Sequence, residues 1–393
     1  MTHIDANGFV APGWEPVKAA FEKNFELGEE VGASAAVYHR GAKVVDIWGG
    51  SFDLGGELPY DDSTLQLMFS STKGIVAIAV AICVQRGLLD YDEKVATYWP
   101  EFAAHGKGEA TVAQLLSHQC GLIVPDAPVT LADALDWKTI TAMLADTKPD
   151  WPIGSGHGYH AVTFGYLAGE LIRRTDGRSP GQFLADEIAG PLGAEMYIGL
   201  PEEHESRVSP IVGRPLNEDN ADPTIKAMLE MFLGPATRGG RALSLNGVFR
   251  ADDDVFNRRD VHAAEVPAAN GIGTAAGLAK IYAATMGPID GVRLLDEPVR
   301  DRARATITPN GEPDLCLIMP TTFGMGFMTH GVFTPYSGPG SFGHSGAGGS
   351  NAFAQPERDL AVGYVMNKMA ANLAADARAQ RITTAAASVA DTL

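Results

Sequence analysis

A serine and a lysine three residues apart, Ser70 and Lys73 in Ser70-Ser71-Thr72-Lys73, stand directly before the apolar run Gly74-Ile75-Val76-Ala77-Ile78-Ala79-Val80-Ala81-Ile82-Cys83-Val84. At the start of a helix that spacing places both side chains on one face, so the lysine nitrogen can reach the serine oxygen. A serine hydroxyl is a poor nucleophile at its free pKa, but a lysine kept out of water is disfavoured as ammonium and can take the serine proton near neutral pH. The helix start also directs unpaired N–H groups at charge developing beside the serine. The plain alternative is an N-cap serine with a solvated or snorkelling lysine. Against it, Leu65-Gln66-Leu67-Met68-Phe69 leads in and an apolar run follows, so both helix faces are expected to be buried and an unpaired lysine would be costly. The run is too short to cross a membrane, which takes about twenty residues.

Two further segments hold chemistry-bearing groups. Gly154-Ser155-Gly156-His157-Gly158-Tyr159-His160 precedes an expected helix at Thr163. Its glycines let backbone approach closely, and a loop tyrosine can place its phenol in a cleft, where a nearby amine suits it to acid or base work. A tyrosine that only caps the core with its ring is the bland reading. His157 and His160 lack Cys, Asp or Glu partners at ligand spacing, so no metal is expected. In Ser341-Phe342-Gly343-His344-Ser345-Gly346-Ala347-Gly348-Gly349-Ser350, small residues would leave a strand edge open, so backbone N–H groups can meet a substrate carbonyl. A tight crossover that needs glycine would look the same, and a phosphate cradle is disfavoured because no Lys-Ser/Thr follows.

Elements must hold these groups together. Residues 14–28 read as an amphipathic helix, and Ala33 to Tyr38 with Lys43 to Trp48 as a hairpin. From Ser70 to about residue 235 the pattern is mostly helical: Val112 to Leu116, Leu131 to Leu144, Thr163 to Arg174 ending at Asp176-Gly177, and Gly181 to Ile188. Residues 235–270, with Asp252-Asp253-Asp254, read as a long irregular connection over the site. A helix from Thr274 to Met286 follows. Strands are then expected at Phe323 to Met328, Ser341 to Gly346, Ala352 to Ala354 and Leu360 to Met366, with a final helix from about Ala371. Strands near both chain ends imply one antiparallel sheet completed by the two ends, flanked by helices, with a mainly helical lobe inserted. The α/β (α+β) fold is thus expected as one catalytic domain over 1–393, its α/β lobe from about 1–65 and 265–393 and its helical lobe from about 66–264.

Composition narrows the partners. Among 393 residues, 48 acidic side chains outnumber 30 basic ones for a net charge of -18, and no Lys/Arg cluster stands out, which argues against nucleic acid and anionic membranes. Cys83, Cys120 and Cys316 cannot all pair, so free buried thiols in a reducing compartment are expected. The first residues lack a basic start and an apolar core, which gives a cytoplasmic reading.

The ordered set Ser70-x-x-Lys73, Tyr159-His160-Ala161 and His344-Ser345-Gly346 resembles the serine β-lactamase and penicillin-binding-protein superfamily, closest to the class C-like branch with the family VIII carboxylesterases. Leu115-Leu116-Ser117-His118-Gln119-Cys120-Gly121-Leu122, Gly271 to Ala279 and Ala354-Gln355-Pro356-Glu357-Arg358 support it. The resemblance implies a β-lactamase/transpeptidase-like fold, Ser70 as acylated nucleophile, Lys73 as its proton acceptor or the tuner of its base, and Tyr159 as second acid/base group. It implies an oxyanion hole from the backbone N–H groups of Ser70 and Ala347, substrate binding by His344, Ser345 and Gly346, and no metal or cofactor. Lactam-active relatives carry Tyr-x-Asn and Lys-Thr-Gly where this chain has Ala161 and His344. The missing lysine removes a charge that would pair with a lactam carboxylate, and the missing asparagine removes a donor. That points to a small-molecule ester as substrate.

Other readings stand beside this one: lactam or D-amino-acid peptide hydrolysis at the same site, a silent binder of peptides or cell-wall fragments, and an α/β-hydrolase with Ser345 as nucleophile. The last rests on Gly343-His344-Ser345-Gly346-Ala347, which nearly matches Gly-x-Ser-x-Gly, yet strands are expected around it and no histidine follows His344. Which of Lys73 and Tyr159 is the base stays open, as do acyl-chain preference and oligomeric state.

Overall fold

Apolar and β-branched residues on both sides of Arg40-Gly41 form a hairpin whose two turn residues take φ of 51° and 75°, the mirror-image turn that matches strand twist. It belongs to a computed structural model that describes residues 4–212, 230–250, 254–309 and 311–393. The strands in chain order are β1 (Asn7–Val10), β2 (Gly32–His39), β3 (Ala42–Gly50), β4 (Leu65–Leu67), β5 (Met196–Tyr197), β6 (Val208–Ser209), β7 (Ile272–Gly273), β8 (Met328–Thr329), β9 (Phe342–Ser345), β10 (Asn351–Gln355) and β11 (Leu360–Met366). The main sheet runs β1-β3-β2-β11-β10-β9-β8, with every pairing antiparallel. β11 pairs with β2 from Leu360 opposite His39 to Met366 opposite Ala33, so the two chain ends complete one sheet.

The helix α1 (Glu15–Glu26) packs on the Ala377–Ala390 helix and on β3, while the Ala275–Ala284 helix lies across β2, β10 and β11. The apolar run after Lys73 is α2 (Ser71–Gln85), buried without interruption from Ser71 to Cys83. A helix apolar all round must be enclosed, and α2 is enclosed by the Thr163–Asp176 helix, β9 and the Glu297–Arg304 helix. None of the helices among the described residues is long and apolar enough to cross a membrane.

Several expected elements differ. Leu131 to Leu144 is two helices, Leu131–Leu135 and Trp137–Ala145, because the Asp136 side chain accepts from the Thr139 N–H and starts a second helix. Phe323 to Met328 is a reversal, with Gly326 at φ 89° and the Gly324 N–H donating to the Phe327 carbonyl. The last helix begins at Ala377, since Ala375 has φ 53° and Asp376 caps the helix by accepting from the Arg378 N–H. The connection over 235–270 contains helices at Arg238–Ser244 and Arg259–Ala263, while Asp252 and Asp253 lie outside the described residues. A second sheet, β5-β7-β4-β6, has strands of two or three residues, too short to show alternation in sequence.

Candidate active site

The turn entering α2 is held on several sides. Phe69 has φ 44°, a conformation that costs a bulky residue of order 1–3 kcal/mol and persists only where neighbours enforce it. They do so here: the Met68 N–H donates to the Gly271 carbonyl, the Thr72 hydroxyl donates to the Phe69 carbonyl at 2.5 Å, and that hydroxyl accepts from the Gly271 N–H at 2.9 Å. From β10's side, the Ser350 hydroxyl donates to the Met68 carbonyl at 2.7 Å and meets the Ser71 hydroxyl at 3.0 Å.

Ser70 occupies the N-cap position of α2 without a capping bond from its side chain, and Lys73 Nζ lies 2.8 Å from its Oγ and 2.8 Å from the Ala268 carbonyl. Lys73 has no exposed surface, and burial holds its amine well below the usual lysine range. No carboxylate forms a salt bridge with it among the described residues, so nothing offsets the loss of hydration. Loop 266–270 supplies the second acceptor and is itself fixed. Asn270 accepts from the Val266 N–H and donates to the Val261 and Ala264 carbonyls. Gly165 permits the approach, because a β-carbon there would lie 2.4 Å from Ala268 N.

Tyr159 brings its ring under the same amine, with Nζ 4.9 Å from the centroid. Burial pushes the phenol well above its ordinary value, while the nearby Ser70 hydroxyl pulls it back in part. The Tyr159 N–H donates to Asp314 Oδ1 at 3.0 Å, and the same oxygen accepts from the Cys316 and Leu317 N–H groups. Phe323 stacks near-parallel on the tyrosine ring at 6.0 Å and His118 meets it edge-on at 5.2 Å. His160 spends both nitrogens on the backbone, Nδ1 toward the Gly158 carbonyl and Nε2 accepting from Leu122 N–H, and so shapes the loop.

His344 on β9 faces the same space, its ring 6.0 Å from that of Tyr159. Its Nδ1 lies 2.7 Å from the Ser345 carbonyl, which only accepts, so Nδ1 carries the proton and Nε2 presents a lone pair. Burial holds His344 well below the usual histidine range, and a proton on Lys73 would lower it further, so the ring is neutral. Nε2 has no hydrogen-bond partner among the described residues. The Ser345 hydroxyl donates to Asn351 Oδ1 at 3.2 Å, and Ser345 ends β9 where a short turn leads into β10, not into the long helix that a Gly-x-Ser-x-Gly elbow requires.

Gly346 sits against the nucleophile turn. A β-carbon there would lie 2.3 Å from the Met68 carbonyl oxygen and 3.2 Å from Ser71 N. This contact sets the next residue, Ala347, beside the start of α2, and neither the Ser70 nor the Ala347 N–H donates to backbone among the described residues. The chain thus joins a hydroxyl with a buried amine whose proton affinity is lowered, a phenol that holds its proton, an imidazole with an unpartnered Nε2, and two N–H groups that donate to no backbone carbonyl among the described residues. That set can attack a carbonyl carbon, receive the resulting oxyanion and exchange protons with a leaving group.

Residues 18–387 match the family model described as Beta-lactamase. The chain belongs to the β-lactamase family. Esterase/beta-lactamase LipL of Mycobacterium tuberculosis is 33% identical over 372 residues, spanning 92% of this chain and 83% of that protein. The crystal structure of a family VIII carboxylesterase aligns at TM-score 0.87 and 36% identity, covering 98% of this chain and 100% of that one. A penicillin-binding protein homolog from Caulobacter crescentus aligns at TM-score 0.88 and 37% identity, over 98% of this chain and 100% of that one. The fold is therefore the β-lactamase/transpeptidase-like one that the three motifs led us to expect, and the chain is a hydrolase of that superfamily with carboxylesterases among its structural neighbours.

Sequence patterning pointed to neither Ala268 nor Asp314, and it gave Ser350 no role beyond its place in the small-residue segment. Ala268 acts through its carbonyl, which leaves no trace in residue type. Asp314 had one usable signal, since an aspartate whose carboxylate accepts from the second and third following N–H groups is a common local turn.

Proposed function

We propose that this protein hydrolyses small neutral carboxylic esters through an acyl-enzyme on Ser70, with Lys73 as proton acceptor and Tyr159 as proton donor. The observation that carries the reading is the contact between Lys73 Nζ and Ser70 Oγ, 2.8 Å long, made by an amine with no exposed surface. A neutral amine at that distance takes the hydroxyl proton as Oγ bonds to the ester carbonyl carbon, and base catalysis of this kind contributes roughly 10²–10⁴-fold. The oxyanion so formed lies toward the Ser70 and Ala347 N–H groups, each such donor being worth roughly 10²–10³ in rate.

The burial that lowers Lys73 raises Tyr159, which separates their roles. The phenol keeps its proton and donates it to the departing alkoxide as the carbon–oxygen bond breaks, and Lys73 returns the proton to the phenol. Water then attacks the acyl carbonyl while Lys73 takes its proton, and Ser70 leaves with that proton on Oγ. The sum is ester plus water to acid plus alcohol, with no cofactor in any step.

His344 shapes the choice of substrate. A neutral ring with an accepting Nε2 attracts no carboxylate, whereas a lysine at that point would. Lactam and D-amino-acid peptide substrates are disfavoured on that ground, and an ester needs less leaving-group assistance than an amide.

The test is turnover of p-nitrophenyl butyrate beside nitrocefin, with Ser70→Ala and Ser345→Ala. Ester turnover lost in Ser70→Ala and kept in Ser345→Ala supports the reading. Loss in Ser345→Ala alone, or no turnover by wild type across an ester series, overturns it.

A further inference from the structure

Ala347 is fixed by its two neighbours. Before it, the Gly346 N–H donates to the Ser350 carbonyl at 2.7 Å. After it come Gly348 and Gly349, with φ of 82° and 134°, a pair of left-handed residues that turns the chain sharply. The Gly348 N–H donates to the Asn372 carbonyl at 3.0 Å, and the Gly348 carbonyl accepts from the Ala370 N–H at 2.9 Å and from Arg378 Nη2.

Arg378 is 2% exposed and belongs to the last helix, far along the chain from every motif that suggested chemistry. Its other donors are all engaged: Nε with Asp376 Oδ1 at 3.0 Å, Nη2 with Asp376 Oδ2 at 3.0 Å, and Nη1 with Glu30 Oε2 at 3.1 Å, the Lys368 carbonyl at 2.8 Å and the Glu29 carbonyl at 3.2 Å. Tyr364 in turn donates to Glu30, and Asn372 donates to Asp376 at 2.7 Å. The fit leaves no slack, since a β-carbon at Gly349 would lie 2.4 Å from Arg378 Nη2. An arginine buried this deeply is a poor device for stability alone, because desolvating the ions offsets much of their attraction. What its fixed fork supplies is placement, and the carbonyl it grips is in the residue that follows the oxyanion donor.

We infer that Arg378, held by Glu30 and Asp376, is a positioning residue for the oxyanion hole, fixing the Ala347–Gly349 turn so that the Ala347 N–H stays directed at the carbonyl oxygen of a substrate on Ser70. The inference rests on the proposed ester hydrolysis. With the guanidinium gone, the Gly348 carbonyl loses its charged donor, and a turn built on two glycines relaxes among conformations in which the Ala347 N–H points elsewhere.

Arg378→Gln, Arg378→Lys and Glu30→Gln test it, with reactive sites first counted by titration with a p-nitrophenyl phosphonate so that kcat refers to competent Ser70 alone. For Arg378→Gln, kcat on p-nitrophenyl butyrate should fall about 10- to 100-fold with KM within about twofold, and affinity for phenylboronic acid, which forms a tetrahedral anion on the serine, should fall in parallel. Arg378→Lys should restore part of the loss, and Glu30→Gln should give a smaller loss in the same direction. A purely structural arginine would instead lower thermal stability and the count of competent sites, leaving kcat per site and boronate affinity within about twofold, and that result overturns the inference. Should Arg378→Gln fail to fold, Glu30→Gln decides on the same two readouts. Failure of the underlying reading shows separately, in wild type, as absent ester turnover or a phosphonate bound elsewhere than Ser70.

Discussion

The Nζ of Lys73 stands 2.8 Å from the Oγ of Ser70 and is wholly enclosed by protein, with no carboxylate in salt-bridge contact among the described residues. An amine so placed loses its hydration without gaining an ion pair, and its proton affinity drops.

A pH profile follows from the sign of that shift. Lys73 acts as a base only when neutral, so kcat/KM should rise with pH through an acid limb centred below the ordinary lysine value of 10.5. It should then hold level toward pH 10, because Tyr159 is shifted upward and keeps its proton over that range. Lys73→Arg, which cannot lose its proton, should cost at least about 10³ in kcat. Activity that declines steadily from pH 7 to pH 10 would mean that the ammonium form is the one needed.

Tyr159→Phe separates acid from base. A p-nitrophenolate departs without a proton and an alkoxide does not, so the substitution should cost roughly 10²-fold or more on alkyl esters and about tenfold or less on p-nitrophenyl butyrate. The measurement is kcat across esters of graded leaving-group pKa. Equal losses across the series would assign the phenol to the attack on the carbonyl instead.

Gly346→Ala should harm both stability and rate. The added carbon would lie 2.1 Å from Ser350 Oγ and 2.3 Å from the Met68 carbonyl oxygen, and the latter is backbone that can yield only by displacing the nucleophile turn. Overpacking of this kind costs about 1–3 kcal/mol, read as a lowered denaturant midpoint, with kcat falling in the molecules that remain folded. Wild-type kcat in Gly346→Ala would separate this strand from the oxyanion.

Much of this site was legible because chemistry constrains residue type. Ser70, Lys73 and Tyr159 announce themselves by a spacing on a buried helix and a phenol in a glycine loop, and the hairpin and closing strands by alternation and turn residues. What stayed hidden acts through backbone or by distant assembly. The Ala268 carbonyl could belong to any residue, the reversal at Phe323–Met328 depends on Gly326, and the late start of the last helix depends on one left-handed alanine. Arg378 looks in sequence like one more charge on a helix face, and only the fold brings Glu30 to it across 348 residues of chain.

His344→Lys should shift preference among substrates. The introduced amine beside Tyr159 would attract a carboxylate that the neutral imidazole does not, so the ratio of kcat/KM for carboxylate-bearing over neutral esters should rise about tenfold or more. An unchanged ratio would place substrate selection elsewhere than β9.

Labelling tests the Ser70–Lys73 pair most directly. Wild-type protein treated with a p-nitrophenyl alkylphosphonate, digested and sequenced by mass spectrometry should carry one phosphonyl group, on Ser70, formed at a rate that falls with pH as Lys73 takes up its proton. A phosphonyl group on Ser345 or any other residue, or a labelling rate unchanged by Lys73→Arg, would contradict it.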